Sequence, residues 1–191
     1  GKAVRDVHED DDEGERMSGH LADQKLFEEI DERWQRADEW SFPKSISIGW
    51  PIDGTPKAED FRRFSIQYYQ ASRSICEMVS GNKIEDYVAS YPVIYLFRHS
   101  VELALKAVVL HQTGSSKGGH DLATLAGMVK GLPEWAKGWI AELHRLDKRS
   151  TGLRYPDTDV AFFEAGSLLS DWLEKTERLH SALLALSQTR V

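Results

Sequence analysis

The 191-residue chain is long enough for one domain with a real core, and 41% hydrophobic with 29% charged residues is an ordinary globular balance. Its net charge of -7 comes largely from an acidic run between Asp6 and Glu15, so the body is close to neutral and lacks the clustered Lys/Arg excess of sequence-blind phosphate-backbone binders. One cysteine, Cys76, excludes an intrachain disulfide framework and a four-cysteine metal site and fits a reduced, cytoplasmic setting, while Arg98, Glu102 and Lys106 interrupt the longest apolar run and exclude a membrane span.

Residues 1–19 are rich in acids and almost free of large apolar groups, so they are expected to form a mobile tail that buries too little surface to offset its ordering entropy. From 20 to 56 the reading is an N-terminal helix and an irregular connector. Phe27, Ile30, Trp34 and Ala37 recur at helical spacing and give one narrow apolar seam, which could dock on the body or on another copy. Pro43, Gly49, Pro51 and Gly54 then forbid a long helix.

The body, 57–191, reads as successive helices. Thr55 and Pro56 signal the start of the first, with Phe61, Phe64, Tyr68, Ala71, Ile75 and Met78 on one face and Gly81 with Asn82 closing it. Ser90 and Pro92 are expected to open a central helix running to Thr113 and Gly114. Its apolar side chains cover every side except a stripe of Tyr95, Arg98, His99, Glu102 and Lys106, and a helix of that kind belongs in the middle of a bundle. A polar loop, GSSKGG, leads to a short helix with Leu122, Leu125 and Val129 inward. Pro133 starts the next, carrying Trp135, Trp139, Ile140, Leu143 and Leu146. After the break KRSTGLRYPD, a last helix is expected from near Asp159, with Phe162, Leu169, Leu173, Thr176, Leu179, Leu183 and Leu186 on its seam. No stretch alternates as a strand does, so the fold class is all-α.

No Gly-rich phosphate loop, HExxH, paired CxxC or GxSxG occurs, which removes the common nucleotide hydrolases, zinc peptidases and serine hydrolases. None of the seven histidines pairs with another at three or four residues on one helix, so neither a metal nor a cofactor is expected.

Four features remain as candidates. One is the set of tryptophans Trp34, Trp40, Trp50, Trp135, Trp139 and Trp172, which would stack bases if exposed but read mostly as core or interface fillers. The other three are groups of polar residues. On the central stripe, Arg98, Glu102 and Lys106 are four apart. They read equally as an ion-pair ladder on a solvent edge or as a groove, where an Arg fork and a Lys charge hold a phosphate, Glu102 fixes them, and His99 adds a titratable group. His120 and Asp121 behind the glycine-rich loop read as a helix cap or as an anion site. Arg154, Tyr155, Pro156 and Asp157 lie in a loop where Arg145, Lys148 and Arg149 concentrate positive charge, and Pro156 alone would also explain a rigid turn.

These groups stand in a recognisable order. RHSVELALKA, then a loop and His-Asp-Leu, then Arg-Tyr-Pro before a final helix resembles the HEPN domain family, with Arg98, His99, Glu102, Lys106, Ala107, His120, Asp121, Leu122, Arg154, Tyr155 and Pro156 at the matching positions. The likeness runs from about Lys57 to Ser187. It implies an up-and-down bundle of four to five helices, here preceded by the extra N-terminal amphipathic helix, and commonly a homodimer. Relatives bind nucleotides or act on RNA in toxin-antitoxin and phage-defence systems, often beside a nucleotidyltransferase partner. Catalytic members use an Arg followed, after four to six residues, by a His, and no Arg of this chain has a His at that distance.

The expected function is therefore a non-catalytic module binding a nucleotide, an RNA or a partner protein through Arg98, His99, Glu102, Lys106, His120 and Asp121, with Arg154 and Tyr155 as further contacts. One alternative is a metal-independent ribonuclease, in which His99 or His120 is the general base and Arg98 or Arg154 steadies the phosphate. The other is an assembly or antitoxin-type protein that works through its acidic tail and N-terminal helix.

Overall fold

A computed structural model describes residues 56–115, 119–147, 152–153 and 166–188. The acidic tail, the seam helix with its connector, Phe162 and the group Arg154 to Asp157 lie outside the described residues. Five helices follow one another: α1 Ala58–Ser80, α2 Asp86–Thr113, α3 Leu122–Met128, α4 Glu134–Leu146 and α5 Leu169–Leu186. Among the described residues there is no strand, and no helix is long and apolar enough to cross a membrane.

Helix α2 is the axis. Phe97, Val101, Ala104, Leu105, Val108 and Val109 are all buried, and they meet Leu122 and Leu125 of α3, Ala136, Ile140 and Leu143 of α4 and Leu179 and Leu183 of α5 in one core. With apolar groups on nearly every side of α2, its partners must surround it. Helices α1 and α5 pack along it and against each other, while α3 packs against both α2 and α4. A second, smaller core of Cys76, Ala89 and Val93, with Ile75, Val79, Ile84, Leu169 and Trp172 against it, closes the end where α1 turns into α2.

Three boundaries differ from expectation. Helix α1 starts at Ala58 with Lys57 as its N-cap residue, and the Asp60 carboxylate accepts the Lys57 backbone N–H at 2.9 Å, so an acid in the first turn decides the start. Helix α2 starts at Asp86 and carries Pro92 inside it. Proline there forgoes one backbone hydrogen bond, but Ala89 and Val93 on either side are buried in the smaller core, and that packing holds the extra turn in place. Helix α5 begins at Leu169, with 166–168 non-helical. Gly166 is a poor helix former, and Leu168 stands 74% exposed, so nothing apolar pulls that turn into a helix.

Two glycines should respond with opposite sign. Gly114 caps α2 at φ +70° with nothing within 4 Å of a built Cβ. Gly114→Ala is therefore expected to cost about 1 kcal/mol through backbone strain alone. Gly138 lies inside α4 and is equally open, so Gly138→Ala should stabilise by about 0.5–1 kcal/mol. Urea denaturation of the two variants beside the wild type reads both effects.

Candidate functional site

Glu102 is the centre of the polar stripe, and it is 1% exposed. An ionised carboxylate at that depth needs partners for its oxygens. Lys106, one turn on, donates from Nζ to Oε1 at 2.8 Å, and His120, in the segment leading into α3, reaches the same oxygen with Nδ1 at 2.7 Å. The second oxygen has Arg98 Nη1 at 3.5 Å and His99 Nδ1 at 4.0 Å. Burial by itself would push the Glu102 carboxyl upward, but the hydrogen bonds and positive charge of Lys106 and His120 outweigh it and hold the group below the usual carboxylate range. Because Glu102 is ionised, the short contact is an Nδ1–H of His120 donating to a carboxylate, which places the ring's other nitrogen, Nε2, away from Glu102.

Arg98 is as deep as Glu102, at 2% exposed. Its guanidinium binds inside the protein: Nη2 donates to the Asp147 carbonyl at 3.0 Å and to the His120 carbonyl at 3.4 Å, and Nε lies 3.9 Å from Asp147 Oδ2. Asp147, also buried, accepts the Gly152 backbone N–H at Oδ1, 3.1 Å away. The fork that could have held a phosphate instead ties α2 to the end of α4 and to the segment leading into α3.

His99 occupies the edge of this network, with its side chain 27% exposed. Tyr68 of α1 meets it edge-on at 4.5 Å between ring centroids, and Tyr95 lies parallel to it at 6.1 Å. Burial lowers its pKa below the ordinary 6.5, with the charges of Lys106, Arg98 and His120 pulling the same way against Glu102, so His99 is neutral at neutral pH. The side chains of His120, at 72%, and Lys106, at 15%, are the other accessible parts.

Asp121 follows its capping reading. Its Oδ1 accepts the Thr124 N–H at 2.6 Å, that bond holds its pKa below the ordinary value, and Oδ2 is 3.6 Å from His144 Nδ1. The structure thus brings Arg98, His99, Glu102, Lys106 and His120 together, sets Asp121 beside them as a cap, and leaves Arg154 and Tyr155 outside the described residues. Among the described residues no group of His, Cys, Asp or Glu is arranged to hold a metal.

The sequence pattern missed two participants and one polar contact elsewhere in the bundle. Asp147 had no signal beyond being an acid at a helix end, and Tyr68 carried only a core reading. A second polar contact, Ser65 with His180, was not visible at all. There the Ser65 hydroxyl donates to the Ser100 carbonyl at 2.8 Å and lies 2.9 Å from His180 Nε2, while the His180 ring stacks on Tyr69 at 4.2 Å.

A family model described as HEPN domain matches residues 90–186, just over half of the chain. That span takes in most of α2, the Glu102 network, and α3, α4 and α5. No curated protein and no solved structure matches the chain.

Proposed function

The chain belongs to the HEPN domain family, and on that premise we propose that it is a nucleotide- or RNA-binding module of a defence or toxin-antitoxin system. It works without the Arg-to-His spacing of the family's ribonucleases. The observation that carries this reading is the convergence of Lys106 Nζ and His120 Nδ1 on one oxygen of buried Glu102, at 2.8 and 2.7 Å. A buried carboxylate fixes two partly exposed nitrogen-bearing side chains side by side, and such a preset pair suits a phosphate group. Arg98 braces the base of the site, and neutral His99 supplies a hydrogen bond in place of a charge. Arg154 and Tyr155 join on the strength of the sequence pattern. A cytoplasmic homodimer, with a nucleotidyltransferase as a further partner, completes the proposal, in keeping with how often HEPN domains dimerise.

Isothermal titration with nucleoside mono- and triphosphates and short RNAs tests the reading. Binding is expected in the wild type, with Lys106→Ala and His120→Ala each weakening it about tenfold, the loss of one charge-assisted hydrogen bond. Silence across the panel would remove the small-ligand form and leave protein interaction. A ribonuclease reading has one observation in its favour: His120 is exposed and oriented by Glu102, the arrangement of a general base with its positioning carboxylate. The same proteins incubated with tRNA decide it. Intact tRNA is expected, whereas cleavage abolished by His120→Ala would put the enzyme in place of the binding module.

A further inference from the structure

The polar stripe of α2 extends beyond Tyr95 toward the start of the helix. At 100° per residue, Tyr87, Tyr91, Tyr95 and His99 advance in steps of four, and with Glu102 and Lys106 they fall within a sector about 120° wide. Each step rises about 6 Å along the axis. The rings emerge progressively: His99 and Tyr95 are half-buried, Tyr91 is 65% exposed and Tyr87 74%. Those last two are the exposed Phe, Tyr or Trp side chains among the described residues. Tyr95 and His99 already lie within 3° of parallel.

We propose that this stripe is a track for single-stranded RNA, in which Tyr87 and Tyr91 each stack one base and pass the strand to the Lys106 and His120 pair. The proposal rests on the nucleotide reading above and extends it from one nucleotide to a strand. Tyrosine faces stack on any base, and rings repeated every turn of one helix match a ligand that itself repeats. Charge sets the layout. Glu85 and Asp86 begin the helix at the Tyr87 end and repel phosphate, while Lys106 lies at the other end, so the strand is held by stacking at one end and by charge at the other. The same two acids disfavour a second copy of the chain on this face, since a two-fold contact would bring them near their own counterparts. A duplex fits poorly because its base faces are already stacked on one another.

The test uses fluorescence anisotropy with labelled oligouridylates and oligoadenylates of increasing length, from mononucleotide upward, together with a duplex control. In the wild type, affinity should rise about tenfold for each of the first bases that reaches a tyrosine, a range set by base-aromatic stacking, then level off, and the duplex should gain nothing. Tyr87→Ser with Tyr91→Ser, both on exposed rings, should abolish the gain while leaving mononucleotide affinity within about twofold, and the Phe pair should restore it. Affinity independent of length, or lost equally for mononucleotide and oligonucleotide, overturns the track while the nucleotide site stands. Length-dependent binding that needs the tyrosines but not Lys106 or His120 keeps the track and removes the cation site. A change in oligomeric state in the double variant, with RNA affinity unchanged, assigns the face to protein contact and overturns the proposal.

Discussion

Glu102→Ala should cost about 3–5 kcal/mol of folding stability, and Arg98→Ala a similar amount. In the first case Arg98 loses the nearer of its two carboxylates, in the second Asp147 loses its guanidinium and Glu102 one of its positive partners, and breaking a buried pair from one side carries a penalty of that size. The same two residues on a solvent edge would be worth only a few tenths of a kcal/mol. Urea titration followed by circular dichroism separates the two cases directly. Replacing both residues with apolar groups of similar size, Arg98→Met with Glu102→Leu, should cost clearly less than the sum of the single losses, since neither member of the Arg98–Glu102 pair is then left facing the other's absence, while the loss of the guanidinium beside Asp147 remains. Single losses under 1 kcal/mol would mean that water reaches the pair, and the buried base assigned to the site would be wrong.

That outcome also explains why the helices were legible in the sequence and the depth of the site was not. A helix apolar on nearly every side announces its own burial, so α2 and its core residues Phe97, Val101, Leu105 and Val108 follow from spacing alone. Residues four apart with opposite charges look the same on an outer edge as in a sealed pocket. What separates the two is contact from far along the chain: His120 reaches Glu102 from 18 residues away, and the Asp147 carbonyl accepts from Arg98 across 49. No local period encodes such contacts. The start of α2 erred for the opposite reason, because local signals at Ser90 and Pro92 were overridden by the packing of Ala89 and Val93.

The longest-range of these contacts makes the fold sensitive to acid. Ser65 and His180, 115 residues apart, join α1 to α5, and His180 is 3% exposed. The Ser65 hydroxyl gives its proton to the Ser100 carbonyl, so it accepts the Nε2–H of a neutral imidazole, whose face is covered by Tyr69. Burial lowers the folded pKa of His180 from 6.5 to about 4. Between those values the unfolded chain binds the proton more readily than the folded one, so stability is complete above pH 6.5 and falls as pH drops toward 4. The loss from this one group is on the order of 3 kcal/mol, a sizeable fraction of the 5–15 kcal/mol that holds a domain together. His99 is also lowered and adds to the decline in the same direction, while Glu102 and Asp121, held below their ordinary values, contribute at lower pH still. Urea midpoints measured from pH 7.5 to 4 should therefore fall steadily in the wild type. His180→Gln keeps an N–H for Ser65 without a group that titrates, so it should remove most of that slope. A wild-type midpoint flat across the window, or a slope untouched by His180→Gln, would mean that His180 takes up its proton without opening the contact between α1 and α5.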